Sequence, residues 1–321
     1  MSKKPAVLVT RKLPAAVEAR LSRDYEPDFN PEDRLYPTEE LLDRANNADA
    51  ILACHTEHFT AELIARLPDR VRAIANFSVG VDHVDLAAAR EKGLIVTNTP
   101  DVLSDATAET AMLLMLGAAR RASEGERLVR TARWESWSPA FMVGIQVTGK
   151  RLGIVGMGRV GQVTARRARG FEMEILYHNR RATDAGAELE AKYFEHLEEM
   201  LPLCQFLSIH CPATPQTRGL LNRERIALLP DDAVVVNTAR GAIVDDDALI
   251  EALKEGKLAA AGLDVFNNEP DINPQYRKLD NVFLLPHIGS ATRETRDAMG
   301  FRALDNLDAI FAGNEPGDRV A

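Results

Sequence analysis

Arg240, Glu269 and His287 offer a cation, a carboxylate and an imidazole, each near the end of an apolar run. The runs are VVVNTARGAIVD (234–245), GLDVFNNEP (262–270) and LLPHIGS (284–290). A guanidinium holds a carboxylate by paired hydrogen bonds in a planar fork. An imidazole backed by a carboxylate suits proton transfer near neutral pH. Taken singly, each residue also fits a structural role: a surface salt bridge, a turn, a backbone hydrogen bond. If the three runs are strands of one open sheet, their carboxyl ends share a crevice. The three together then predict a site that binds a small acid and moves a proton.

A second motif is of cofactor size. Residues 150–161 read KRLGIVGMGRVG, with a short apolar strand at Leu152–Val155 followed by Gly156, Gly158 and Gly161 in G-x-G-x-x-G spacing. The first glycine permits a tight turn, the second lets backbone approach a pyrophosphate, and the third lets a helix pack close to the strand. The helix expected over 159–170 would point its positive end at the phosphates. That spacing alone is a weak signal. Its strand-before, helix-after context, and a second strand at Glu174–His178, make it a dinucleotide site.

An NAD site places Asp or Glu at the end of that second strand, to accept from the ribose hydroxyls. Here the residues are His178-Asn179-Arg180-Arg181. No carboxylate repels a 2′-phosphate, and two guanidiniums can meet one. NADPH is therefore expected over NADH, against the alternative of an ordinary solvated Arg pair.

The elements that must carry these residues are legible as alternating runs. Strands are expected at 6–10, 48–54, 71–77 and 94–98, with helices at 13–25, 38–46, 60–68 and 84–93. Alternation of this length implies parallel sheet. A second βα series runs from 151 to 285, and 292–312 reads as one amphipathic helix returning to the first domain. The expected fold is α/β: two Rossmann-like, doubly wound parallel-sheet domains with the active site in the cleft between them. Residues 1–100 plus 288–321 form the substrate-binding domain, and 101–287 the dinucleotide-binding domain. Ser104 or Asp105 can cap the long apolar helix over 106–119. In FSVGVDHVD (77–85), Gly80 sits between strand and helix, and its N–H with that of Val79 could receive a carboxylate. His83 and Asp85 read as structural.

The chain has 321 residues, room for two domains, and 45% hydrophobic content supports a large core. A net charge of −9 carries no nucleic-acid footprint. Cys54, Cys204 and Cys211 have neither CxxC nor zinc spacing, so no metal is expected and a reducing, cytoplasmic compartment is. The opening MSKKPAVLVT passes from two lysines straight into a strand, the pattern of a chain with no signal peptide. No run approaches the roughly 18 apolar residues of a membrane span. Trp134 and Trp137, in RWESWSP, are aromatics in a polar loop, a common mark of an interface. The all-round apolar helix also asks for cover on every side. Both point to a homodimer.

Together these motifs resemble the D-isomer-specific 2-hydroxyacid dehydrogenase family over nearly the whole chain. The resemblance implies that Arg240 holds the carboxylate and carbonyl of a small anionic 2-keto acid, that Glu269 orients His287, and that His287 is the acid/base. It assigns substrate contact to Val79 and Gly80, and implies that Trp134 reaches toward a partner subunit's pocket. Cofactor contacts follow at Thr107, Arg159 and Val160, at Asn179, Arg180 and Arg181, and at Cys211, Pro212 and Thr217. Thr238, Ala239, Asp264, His287, Gly289 and Ser290 complete that set, with Asp264 on the nicotinamide carboxamide. Within the family the NADPH-using glyoxylate and hydroxypyruvate reductases share the Arg180 pattern, so these two keto acids are the expected substrates. Two alternatives stay open: a reductase of a larger 2-keto acid, of phenylpyruvate or 2-ketogluconate type, and a non-catalytic dinucleotide-sensing corepressor-like protein.

Overall fold

The computed structural model describes residues 4–321. The chain divides into two compact units, Met1–Leu103 with Ala291–Ala321, and Ser104–Ser290. The second unit starts where a long helix starts, at Ser104. It runs past His287 because the next two residues are hydrogen-bonded to Asp264.

In the first unit, β1 (Ala6–Val9), β2 (Glu26–Asp28), β3 (Ala50–Ala53), β4 (Ala73–Asn76) and β5 (Ile95–Thr97) form one sheet in the order β2-β1-β3-β4-β5. All four pairings are parallel. Strands β3 and β4 are buried at every position, as expected of a sheet covered on both faces. Alternate residues enter two cores: Leu8, Ile51, Ile74 and Val96 on one face, Val7, Val9, Leu52 and Ala75 on the other. The helix Arg293–Phe311 returns to the second of these, inserting Met299, Ala303, Leu304, Leu307 and Ile310. Strand β2 was not expected from sequence. Its three residues, EPD, carry no apolar pattern, and Pro27 is tolerated because the strand lies at the sheet edge.

The second unit holds β6 (Arg151–Val155), β7 (Glu174–His178), β8 (Lys192–Phe194), β9 (Phe206–Ile209), β10 (Ala233–Asn237), β11 (Leu258–Leu263) and β12 (Val282–Leu284). They form a parallel sheet in the order β12-β11-β10-β9-β6-β7-β8. The order reverses between β6 and β9, the switch point at which open α/β sheets bind ligands.

The apolar helix, observed at Ser104–Ala119, finds most of its cover inside its own unit. It packs on β10, β11 and the helix Arg159–Arg169. A β-carbon on Gly262 would stand 2.7 Å from the carbonyl oxygen of Leu114, and one on Gly117 would stand 2.5 Å from the ring of Phe283. Gly262 therefore lets the helix backbone lie against the strand, and Gly117 makes room for the Phe283 ring. Leu113 remains exposed. Ser104 and Asp105 do not cap this helix. Both lie in its first turn, and Asp105 instead pairs with Arg167 at 2.8 Å. No described helix is long and apolar enough to cross a membrane.

Candidate active site

Strands β10, β11 and β12 are parallel neighbours, so their carboxyl ends lie side by side. Arg240 follows β10, Glu269 follows β11 and His287 follows β12. At the first end, the buried Asn237 side chain accepts from the N–H of Ala239 at 3.0 Å and donates to the carbonyl of Arg240 at 2.9 Å. That closes the turn presenting Arg240, whose Nη1 donates to the Ala239 carbonyl. Gly241 comes next. A β-carbon there would stand 1.9 Å from the carbonyl carbon of Phe266, so only glycine lets the Arg240 turn lie against the segment leading to Glu269.

Glu269 is pinned at both oxygens. Oε1 accepts from the N–H of Phe266 and Oε2 meets Nδ1 of His287, each at 2.7 Å. This engages Nδ1 of His287 and fixes the plane of the ring. His287 itself has φ 54, a left-handed conformation that a non-glycine residue adopts only when its surroundings hold it. The holder is Asp264, 1% exposed at the end of β11. Its carbonyl accepts from the N–H of His287 at 2.8 Å. Its two carboxylate oxygens accept from the N–H groups of Ile288 and Gly289 at 2.7 Å each. Burial raises the Asp264 pKa, opposed by those two hydrogen bonds and by the nearby His287. A cavity of about 270 Å³ opens beside the pair, lined by Phe266, Pro270, Ile272, Leu284, Leu285 and Pro286 together with Glu269 and His287.

At the sheet's switch point Gly156 makes a tight turn and Gly161 a close backbone approach, as their spacing predicts. Gly156 has φ +100, and a β-carbon on it would stand 2.6 Å from the amide nitrogen of Cys211. A β-carbon on Gly161 would stand 2.2 Å from the Gly156 carbonyl oxygen, while one on Gly158 would meet nothing within 4 Å. Gly156 and Gly161 are demanded by the protein's own packing. Gly158 faces open space at the N-terminus of the helix that Arg159 and Val160 begin. This arrangement fits a pyrophosphate.

Around this turn, Asn179 has a task that sequence reasoning did not assign. Its Oδ1 accepts from the N–H of Met157 at 2.8 Å, tying the end of β7 to the glycine turn. Arg180 and Arg181 are exposed, with no ion-pair partner among the described residues. Cys211 and Pro212 follow β9, and burial pushes the Cys211 thiol up to about 11, which keeps it neutral. Thr217 accepts from the N–H of Thr214 at 2.8 Å and donates to the Pro212 carbonyl at 2.6 Å, closing that loop. Thr238 meets Nδ1 of His210 at 3.3 Å, and Ser208 meets its Nε2 at 2.8 Å. Thr107, on the Ser104–Ala119 helix, lies against Gly289, next to Ser290.

Val79 and Gly80 belong to the other unit, in the turn after β4. Trp134 and Trp137 are 55% and 75% exposed in the segment 131–146, near exposed Val129, Phe141 and Val143 in sequence. The indole N–H of Trp134 donates to the Ser136 carbonyl. Asn237, Gly241 and the Asp264 clamp are the site residues that sequence reading missed or cast differently. The only signals were a polar residue closing each strand and a glycine directly after Arg240.

Residues 112–289 match the family model described as "D-isomer specific 2-hydroxyacid dehydrogenase, NAD binding domain". The glycerate dehydrogenase of Hyphomicrobium methylovorum is 43% identical over 315 residues, 98% of each chain. The glyoxylate reductase of Pyrococcus furiosus is 43% identical over 318 residues, 98% of this chain and 94% of that one. Among solved structures, the NADPH-dependent glyoxylate/hydroxypyruvate reductase of Sinorhizobium meliloti, in complex with NADP and malonate, superposes with a TM-score of 0.88 at 33% identity. That match covers 99% of this chain and 97% of the other. A shared fold, a shared sequence over nearly the whole length and a matching domain model agree: the chain belongs to the D-isomer specific 2-hydroxyacid dehydrogenases, a family of NAD(P)-dependent oxidoreductases.

Proposed function

We propose that this protein reduces a small 2-keto acid, glyoxylate or hydroxypyruvate, to the 2-hydroxy acid with NADPH. Reduction of a keto acid follows from the family, and glyoxylate and glycerate appear in the names of its relatives. The observation that carries the mechanism is the 2.7 Å contact between His287 Nδ1 and Glu269 Oε2. With Nδ1 so engaged, Nε2 is the atom that gives a proton to the keto oxygen. The Glu269 carboxylate stabilises the imidazolium before transfer and orients the ring after it. Arg240 takes the substrate carboxylate through its planar fork, with the Val79 and Gly80 amides as further donors. When bound, NADPH supplies the hydride. Gly156, Gly158 and Gly161 hold its pyrophosphate, and Arg180 with Arg181 holds its 2′-phosphate. Residues 101–287 serve as the dinucleotide domain, and 1–100 with 288–321 as the substrate domain. The exposed apolar side chains of 129–143 serve a homodimer contact, with Trp134 toward the partner's site. The three free cysteines suit a cytoplasmic protein.

The test is a turnover screen of glyoxylate, hydroxypyruvate, phenylpyruvate and 2-ketogluconate, each with NADPH and with NADH. Highest kcat/KM on glyoxylate or hydroxypyruvate with NADPH supports the reading. No turnover of any keto acid rejects it in favour of a dinucleotide-sensing protein. One observation favours a second reading. The cavity beside His287 is largely apolar and large enough for a side chain such as a phenyl ring, so a preference for phenylpyruvate would assign the enzyme to larger substrates.

A further inference from the structure

The turn after β4 has its carbonyl groups fixed on one side. The Ser78 carbonyl accepts from the N–H of Thr99 at 3.0 Å and faces Nδ2 of Asn76 at 3.4 Å. The Val79 carbonyl accepts from Nδ2 of Asn98 at 2.9 Å. The Gly80 carbonyl accepts from Nδ2 of Asn76 at 2.9 Å. A trans peptide is planar, so each N–H points opposite to the carbonyl of the residue before it. Holding those three carbonyls inward therefore turns the N–H groups of Val79, Gly80 and Val81 outward. None of the three donates to an acceptor among the described residues, and all three residues are half-buried rather than sealed in the core.

The clamp is itself held. Asn76 is fully buried at the end of β4. Its Oδ1 meets Nε2 of buried His83 at 3.1 Å, which fixes the amide with Nδ2 toward the loop. Asn98 follows β5; its N–H donates to the Asp318 carbonyl, and its own carbonyl faces Nδ2 of Asn306 on the returning helix. Asn306 in turn bonds Asp318 at 2.9 Å, and Asp318 pairs with Arg302 at 2.8 Å. Packing alone would not ask for two side-chain amides spent on the carbonyls of an open turn. A hydrocarbon side chain would fill the same space, and the carbonyls of a half-exposed turn can be solvated.

We infer that Asn76 and Asn98 are positioning residues for the reaction: they aim the Val79 and Gly80 N–H groups at the substrate carboxylate. The inference rests on the proposed role of those amides. It extends the substrate site to two residues that touch no substrate, and to His83, which sets the orientation of Asn76.

The experiment uses the full-length enzyme with Asn98→Ala, Asn98→Asp and Gly80→Pro, and reads KM for glyoxylate, KM for NADPH, kcat and melting temperature. Asn98→Ala frees the Val79 carbonyl to rotate. Asn98→Asp puts an oxygen opposite that carbonyl and repels it. Gly80→Pro deletes one of the donors outright. The expected result for both Asn98 variants is a rise in glyoxylate KM of about tenfold to a hundredfold. That is the span of one hydrogen bond to a charged group. NADPH KM and melting temperature should hold near wild type. If glyoxylate KM rises in Gly80→Pro but not in the Asn98 variants, the clamp is overturned while the carboxylate role of the loop stands. If no variant shifts it, both fall. A fall in melting temperature or in NADPH affinity that tracks the glyoxylate KM would assign Asn98 to folding and overturn the inference. Asn76→Ala repeats the test from the buried side, with Asn76→Asp expected to fail as Asn98→Asp does.

Discussion

The backbone N–H of His287 donates to the carbonyl oxygen of Asp264 across 2.8 Å, while the Asp264 carboxylate holds the two N–H groups that follow His287. One buried residue thus grips three successive amides and keeps His287 at φ 54. Asp264→Asn replaces one acceptor oxygen with a donor that faces an N–H group, so one of the two side-chain bonds must break. The expected outcome is at least a tenfold loss of kcat. Melting temperature should change little, because removing a buried charge offsets part of the lost hydrogen bond. Paired kinetics and thermal melts check this. Full activity in the Asn variant would show that the carboxylate is not what holds the imidazole in place.

That relationship also marks the limit of what the sequence displays. Strand ends carrying Arg240, Glu269 and His287 are legible because apolar runs of strand length stop at polar residues. Gly156 and Gly161 are legible because their spacing answers to one turn. Strand β2 is not: Glu26–Asp28 draws its pairing from β1 alongside it and from nothing in its own residues. The tasks of Asn179, Asn237 and Asp264 are hidden for a related reason. Each side chain bonds backbone amides or carbonyls, and those bonds become visible only when the turns are formed. Gly241 is hidden because the atoms that exclude a side chain there belong to Phe266 and Asn267.

Removing the proposed proton donor should slow reduction steeply. His287→Ala is expected to lose about 10²–10⁴ in kcat, the usual worth of a positioned acid. Glu269→Gln keeps the shape but has one oxygen for two donors, the Phe266 N–H and His287 Nδ1. It should lose less than His287→Ala, with substrate KM near wild type. Steady-state kinetics of both variants decide the roles: turnover above about a tenth of wild type in His287→Ala would remove His287 as the acid.

Arg240→Lys keeps the positive charge and loses the planar fork. The substrate carboxylate is bound before and during hydride transfer, so keto-acid KM should rise and kcat should fall together. Cofactor affinity should be retained, since the glycine turn is untouched. Initial-rate measurements with varied glyoxylate and varied NADPH separate these effects. Unchanged keto-acid kinetics would place Arg240 outside the site.

His210 gives the fold an acid-sensitive point. Burial lowers its pKa from 6.5 to about 4, and both ring nitrogens meet hydroxyls. A depressed value means the folded state favours neutral imidazole. The stability at stake is complete above pH 6.5 and drains away as pH falls toward 4. The full shift corresponds to at most roughly 3 kcal/mol at about 1.4 kcal/mol per pH unit. The residue as a whole is only half-buried, and solvent screening reduces that figure. Melting temperature should therefore fall between pH 6.5 and 4 in the wild type, and fall less in His210→Gln. Equal slopes for the two proteins would locate the acid sensitivity elsewhere.

The proposed preference for NADPH rests on the end of β7. His178 turns its Nδ1 to the Phe194 carbonyl, Asn179 spends its Oδ1 on the glycine turn, and no acid follows. Arg180 and Arg181 are exposed and carry no ion pair among the described residues, so neither must break a contact to meet a phosphate. A hydrogen bond to a charged group contributes roughly 1.5–3 kcal/mol, which is about a tenfold to hundredfold preference for NADPH over NADH. Two neighbouring arginines give more than one, though not the full sum. Arg180→Ala should weaken NADPH and leave NADH little changed, because NADH has no 2′-phosphate to lose. His178→Asp should improve NADH by supplying the ribose acceptor, and should weaken NADPH by setting a carboxylate against the phosphate. Steady-state kinetics with both cofactors on the wild type and the two variants measure each arm. A wild-type enzyme that prefers NADH would return Arg180 and Arg181 to the solvated surface, whatever the variants do.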